Sequence, residues 1–322
     1  MSEQRSPRGA PGRRSLSDRR AERTGVPAAH TRFLRLDRGR AEREWARYEG
    51  TAQRDLFRQL RERFLARHML PGRWVLDAGA GPGRFTPWVG GPGVSRVALD
   101  LSHAMLATGR EIAAKRGTFA APAVDRVRGD AARAPFRPES FAEIALVGNA
   151  LGFEARAGEA LLASVEALVA PGGVLVVEVA PGAGERARYL ARLPGRVVRR
   201  LLAAPPAAVL PRLQREGFRI EAARHRPGSF RRWTAEELAR RWRPPGWHLR
   251  EVMAVAPALG ADPDRLTEVA KEPRAWARLV ELEEMLGHEP FRWKDAAAVL
   301  LAVEHSPQQA NGLVRGGRSL RS

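Results

Sequence analysis

The amino-acid sequence predicts an α/β protein built on a doubly wound, mostly parallel sheet. Three observations carry this expectation. Short apolar runs recur between residues 74 and 179, each bounded by Gly, Pro or Asp. Segments with apolar residues three and four apart stand between them, so strand and helix periods alternate as in successive βαβ units. The run Val174-Leu175-Val176-Val177 is apolar without alternation, as a strand covered on both faces requires.

Taken in order, residues 1–38 are rich in Arg, Ser, Pro and Gly without hydrophobic period, and read as a disordered basic arm. From 41 to 69, Trp45, Tyr48, Leu56, Phe57, Leu60, Phe64 and Leu65 recur at helical spacing, with Gly50-Thr51 dividing two helices. Pro71-Gly72 ends the segment and admits a strand over 74–78. A second strand is expected over 94–100, after which Ser102 caps a helix over 103–115. Strands over 125–128 and 141–148 follow, then a helix over 157–169 stopped by Pro171-Gly172-Gly173, then a strand over 174–179. Beyond Pro181, Leu190, Leu193, Val197 and Leu201 form an apolar stripe opposite Arg192, Arg196, Arg199 and Arg200. Residues 218–225 suit a strand or an added helix. Thr234 and Glu237 form a capping box for a helix through Arg243. Residues 247–255 return to strand character, 264–287 to helical, and 296–303 read as a last apolar strand. The organisation expected is one domain over 39–306 with a basic insertion at 183–245, and a disordered tail at 307–322.

Composition excludes several classes of function. The chain of 322 residues has no cysteine, which removes disulfides, thiolate metal sites and cysteine nucleophiles together. No apolar run reaches the roughly 18 to 20 residues of a membrane span. The basic N-terminal stretch is not followed by the apolar core of about 7 to 15 residues that a secretory signal needs. A cytoplasmic location is therefore expected, without a transmembrane segment. The net charge of +19 is unevenly placed: residues 1–40 carry +7 and residues 183–250 carry +12, while 41–182 carry only +2. A basic arm and a basic segment thus flank a nearly balanced core.

The stretch Arg73-Trp-Val-Leu-Asp-Ala-Gly-Ala-Gly-Pro-Gly-Arg-Phe85 is a short strand ending in an acid and a glycine-dense turn. Its spacing, Asp77-x-Gly79-x-Gly81-x-Gly83, differs from the G-x-G-x-x-G turn that holds a pyrophosphate, the pattern of the competing nicotinamide-dependent dehydrogenases. Asp100 closes the next strand and Gly129-Asp130-Ala131 the third. In this order the motifs resemble the class I S-adenosylmethionine-dependent methyltransferases over residues 73–182, with weaker similarity to the last strand. The resemblance is to small-molecule enzymes, such as the ubiquinone and menaquinone biosynthesis group, and it implies a seven-stranded Rossmann-like sheet. It also implies that Asp77, Gly79, Ala80, Gly81 and Gly83 hold the methionine part of S-adenosyl-L-methionine. Asp100 would accept the ribose hydroxyls, Leu101 and Met105 would pack the adenine, and Asp130 and Ala131 would hydrogen-bond its edge. Asn149 would lie beside the methyl group. A carboxylate-bearing site suits a sulfonium and an ammonium cation better than a phosphate nest does. No metal is expected.

The acceptor is less legible. Gly148-Asn149-Ala150-Leu151-Gly152-Phe153 stands where amino-methylating enzymes of DNA and glutamine carry an Asp-Pro-Pro-Tyr or Asn-Pro-Pro-Tyr tetrapeptide. Tyr48, Asn149, Glu154 and His225 are candidates near the reacting centre. Trp45, Tyr48, Arg231, Arg232 and Trp233 are candidates for the acceptor's wall, because segments outside the strand ends cover the ligand crevice in such sheets. The charge there points to an anionic small molecule. RNA bound through the basic arm and insertion, a lipid or quinone precursor at a membrane surface, and a binding protein without catalysis are the alternatives.

Overall fold

A computed structural model of the chain describes residues 33–68, 74–90, 93–117, 124–148, 150–152, 155–179, 185–187, 203–205, 220–222, 235–242, 246–257, 262–288 and 298–306. Helices α1 (Arg38–Ala46) and α2 (Ala52–Arg67) precede the sheet. Strand β1 (Trp74–Ala78), β2 (Ser95–Asp100), helix α3 (His103–Arg116), β3 (Val124–Arg128), β4 (Phe141–Leu146), α4 (Ala155–Leu168) and β5 (Val169–Val179) then alternate. A small ribbon of β6 (Glu185–Ala187) and β7 (Ile220–Ala222) follows, then α5 (Ala235–Arg241), β8 (Trp247–Val255), α6 (Pro263–Ala270), α7 (Pro273–Gly287) and β9 (Ala298–His305).

The main sheet has seven strands in the order β3-β2-β1-β4-β5-β9-β8. Strands β1 to β5 pair in parallel, and β9 runs antiparallel to both β5 and β8. This is the expected mostly parallel, doubly wound, Rossmann-like sheet. The order reverses beside β1, which leaves a crevice at the carboxyl ends of β1, β2 and β4, where such sheets place their ligands.

Two apolar layers hold the sheet, and the strand period of two sorts residues between them. Val75, Val174 and Val176 face Leu56, Leu60 and Phe64 of α2 and Leu279, Leu282 and Leu286 of α7. Leu76, Leu175 and Val177 face Leu162 and Val165 of α4 and Leu238 of α5. Both faces of β5 are therefore buried, as its continuous apolar run requires.

Local chemistry sets the ends. The Asp37 carboxylate caps α1 by accepting the Arg40 N–H at 2.7 Å, and the Thr51 hydroxyl caps α2 by accepting the Arg54 N–H at 3.2 Å. Ser102 caps α3 as expected, and α3 ends at Gly117 in the left-handed conformation (φ 63°). Several boundaries differ from the sequence reading. Strand β4 stops at Leu146 because Gly148 turns the chain at φ 72°. Strand β5 starts at Val169, since Val169 already pairs with Phe141 before the irregularity opposite Glu143. The 264–287 segment is two helices, because Pro273 can open a helix but cannot continue one. A short 3-10 turn at Phe33–Arg35 also lies within the span read as an arm. Most of the 183–245 insertion, the Thr234 cap and the tail lie outside the described residues. No helix among the described residues is long and apolar enough to cross a membrane.

Candidate functional site

The glycine turn after β1 is a backbone device. Gly79, Gly81 and Gly83 all adopt positive φ (71°, 57° and 78°), which L-residues with a side chain rarely hold. The N–H groups of Gly79 and Ala80 both reach the Leu99 carbonyl, at 2.8 and 3.0 Å, and Gly83 closes the turn onto Ala80 at 2.9 Å. The turn is thereby pinned to the end of β2. Helix α3 packs so tightly on it that a Cβ at Gly109 would stand 1.8 Å from the Pro82 carbonyl oxygen.

A cavity of about 650 Å³ opens where the turn meets the carboxyl ends of β1, β2, β3 and β4. Its floor is acidic. Asp77, 2% exposed, accepts the Thr86 hydroxyl at 2.6 Å. Burial pushes the Asp77 carboxyl up to about 7; the Thr86 hydrogen bond opposes this, and the nearby Asp100 charge adds to it. Asp100 accepts the Gly81 N–H on one oxygen and the Ser102 N–H on the other, both at 2.8 Å. Burial also raises its pKa, against those two hydrogen bonds. Asp130 accepts the Ala132 N–H at 2.9 Å and caps the short turn that carries Ala131.

Of the residues expected to meet the cofactor, Asp77, Gly79, Ala80, Gly81, Asp100, Leu101, Met105, Asp130 and Ala131 all line this one cavity. Gly83 is not in its lining and serves the turn behind it. Asn149 lies outside the described residues, although its neighbours Gly148 and Ala150 line the cavity.

The roof comes from the segment before β1. Leu36, Arg40, Glu44 and Arg47 line the cavity from α1 and its ends, joined by Tyr48, Arg84 and Phe85. Three ion pairs tie this segment down across the mouth: Arg38 to Glu111 at 2.9 Å, and Glu49 to both Arg84 and Arg116. Tyr48 meets Phe85 edge-on at 5.0 Å between centroids. Burial raises the Tyr48 phenol above its ordinary pKa, with the Arg61 charge opposing. Trp45 faces the other way. It is 2% exposed, outside the cavity lining, with the Arg84 and Arg116 guanidinium groups 5.4 and 6.0 Å from its ring. The structure thus gives it a packing position under the roof. Arg231, Arg232, Trp233, His225 and Glu154 lie outside the described residues.

One feature escaped sequence reasoning. Arg61 of α2 and Glu178 of β5 form a buried two-pronged pair, at 2.9 and 2.7 Å, and Glu178 also accepts the Gly148 N–H at 3.0 Å. The Arg61 guanidinium lies 5.1 Å from the Tyr48 ring centroid. Burial works against both charges, but the attraction outweighs it: the Glu178 carboxyl falls below its ordinary pKa and Arg61 rises above. A signal was present, since Glu178 interrupts an apolar strand and Arg61 falls on the apolar face of α2. Either alone reads as a strand-end or surface charge. Among the described residues there is no group of three or more side chains suited to a metal.

Residues 75–173 match the family model described as a methyltransferase domain. No curated protein matches the chain. Among solved structures, magnesium protoporphyrin IX methyltransferase (ChlM) from Synechocystis PCC 6803, with bound SAH, is 13% identical at a TM-score of 0.51, covering 86% of this chain and all of its own. The cyclase SpnF is 17% identical at a TM-score of 0.43, covering 76% of this chain and 79% of its own. Geranyl diphosphate methyltransferase, in complex with GPP and sinefungin, is 18% identical at a TM-score of 0.39, covering 76% and 78%. With the strand order and the cavity already described, residues 75–173 are a methyltransferase domain on a class I S-adenosylmethionine-dependent methyltransferase fold.

Proposed function

We propose that the chain methylates an anionic small molecule with S-adenosyl-L-methionine as donor. The observation that supports this most is the convergence of Asp77, Asp100 and Asp130, from three successive strand ends, on one cavity under a lid of different charge. The donor fits the residues present. A carboxyl held near neutrality by burial, as Asp77 is, gains most from a cation brought beside it. Asp100 is fixed by two backbone N–H groups, and its remaining lone pairs suit a pair of ribose hydroxyls. Leu101, Met105 and Ala131 give apolar walls for a purine, and Asp130 an acceptor at its edge.

Bound there, the cofactor supplies a sulfonium methyl group that passes to a nucleophile by in-line displacement and leaves a neutral thioether. The chain's own part is mostly alignment. The glycine turn and the acids fix one partner, and Val147, Gly148, Ala150 and Leu151 with the roof place the other. An acceptor attacking through N–H or O–H must lose a proton, and Tyr48, whose ring borders the cavity, is the candidate nearest to it within the described residues. Asn149 and His225 remain candidates from the sequence.

The enclosure favours a small acceptor over a polymer, since α1 spans the mouth and is tied down on its far side by Arg38 and Glu111. The +12 segment after β5 supports a negatively charged acceptor. Transfer of labelled methyl from the cofactor into host small-molecule, lipid and RNA fractions tests the proposal. Label in the small-molecule fraction is expected. Label confined to RNA would turn the basic segments into a nucleic-acid interface and overturn it.

A further inference from the structure

The cavity roof carries an internal ion cluster that the cofactor reading leaves without a role. Arg40, Glu44 and Arg47 sit at i, i+4 and i+7 along α1 and its end, so all three fall on the face turned to the cavity, and all three line it. Glu44 stands between the two arginines. Its Oε1 meets Arg40 at 2.5 Å and its Oε2 meets Arg47 at 3.2 Å. Two guanidinium groups therefore share one carboxylate. The third cation of the roof, Arg84, is already paired with Glu49.

The energetics of these pairs matter. Arg40 and Arg47 are about half exposed, and pairs of that kind are weakly held because solvent screens them. A carboxylate or phosphate entering the cavity meets two guanidinium forks on its wall, and such planar donors bind those groups in two-pronged fashion. Exchange of one weak intrahelical partner for a better-oriented ligand partner is then favourable. On the donor reading the cofactor's cation lies beside Asp77 and its ribose beside Asp100, which line the cavity from β1 and β2 rather than from α1. The cavity is thus polarised, with an acidic floor and a roof whose α1 face carries two cations for one acid.

Resting on the methyltransferase reading, we propose that Arg40 and Arg47 are the acceptor's anion-recognition pair and that Glu44 is a placeholder whose carboxylate the acceptor's anionic group displaces. This makes α1 a determinant of acceptor charge. It also makes Glu44 a specificity residue that selects against neutral acceptors, because only an anion can take over both arginines.

The test uses the full chain and host small-molecule extract separated beforehand on an anion exchanger into retained and unretained fractions. Each fraction is offered with tritium-methyl S-adenosylmethionine to the wild type, to Glu44→Gln and to the double variant Arg40→Gln with Arg47→Gln. Cofactor affinity is measured in parallel by calorimetry with S-adenosylhomocysteine. Label is expected from the retained fraction only, at least tenfold less of it with the double variant, and severalfold more with Glu44→Gln at limiting acceptor. Cofactor affinity is expected to stay within about twofold in all three. Labelling from the unretained fraction, undiminished labelling by the double variant, or no label from either fraction by a protein that binds the cofactor would overturn the inference. So would loss of cofactor affinity in the double variant, which would assign the arginines to the cofactor's own carboxylate. A wild type that binds no S-adenosylhomocysteine would instead remove the methyltransferase reading beneath it.

Discussion

The floor and the roof of the cavity are built on opposite plans. The floor acids come one from each of three strand ends; Asp77 is buried and Asp100 partly buried, and both are fixed by hydroxyl or backbone hydrogen bonds. The roof charges are long side chains on a helix, half exposed and paired among themselves. A rigid, desolvated wall suits a ligand that never varies, because each charge there acts with little screening. A wall of adaptable side chains suits the partner that differs among enzymes of one fold. On the proposed function, the methyl donor belongs to the floor and the methyl acceptor to the roof.

The joint between the two should give the largest effect. Arg61 and Glu178 connect α2, just past the roof, to the Gly148 turn at the floor. Glu178→Leu strands a buried guanidinium and is expected to lower stability by about 3 to 5 kcal/mol in urea unfolding. Pairing it with Arg61→Met should recover most of that loss, because the double replacement leaves no charge uncompensated. A Glu178→Leu protein of wild-type stability would mean that water reaches the pair.

Next comes the floor. Asp100→Ala is expected to weaken cofactor affinity 10- to 100-fold, roughly the 1.5 to 3 kcal/mol of hydrogen bonds to a charged acceptor. The roof variants should leave that affinity nearly unchanged, and a Asp100→Ala loss no larger than theirs would dissolve the contrast.

The pH dependence separates the walls further. With Asp77 held up at about 7, the folded chain keeps a proton between about pH 4 and 7 that the unfolded chain has released, so Asp77 lowers stability as pH rises through that window. Cofactor affinity runs the other way. A cation binds the ionised form, so affinity should rise about tenfold per unit up to about pH 7 and level off above, with a proton released on binding below it. Calorimetry in buffers of different ionisation enthalpy measures both. Asp77→Asn should flatten the profile.

The smallest effect belongs to the roof's own folding. Asp37→Ala removes the cap of α1 and should cost about 1 kcal/mol, with cofactor affinity unchanged and acceptor methylation reduced.

The floor was legible in the sequence because its chemistry is local: an acid two residues before a glycine turn, and acids closing the next two strands, are contiguous patterns tied to the strand period. Asp77, Asp100 and Asp130 accordingly converge where expected. The roof was legible only in part. The helical spacing of Trp45 and Tyr48 marked a helix pair, but which residue meets the cavity depends on how α1 rotates against α3, and that orientation comes from the Arg38–Glu111 and Glu49–Arg116 ties across distant segments. Tyr48 faces the cavity and Trp45 lies under the roof. Arg40, Glu44 and Arg47 are not among the candidates named from the sequence. Glu178 was hidden for the same reason, because its partner lies 117 residues away on α2.

A calorimetric titration of the full chain with S-adenosylmethionine tests the central assignment most directly. Saturable one-to-one binding is expected, weakened at least tenfold by Asp100→Ala and strengthened by raising the pH from 6 to 7.5. No binding by a chain that still unfolds cooperatively would contradict the assignment of the acidic floor to the methyl donor.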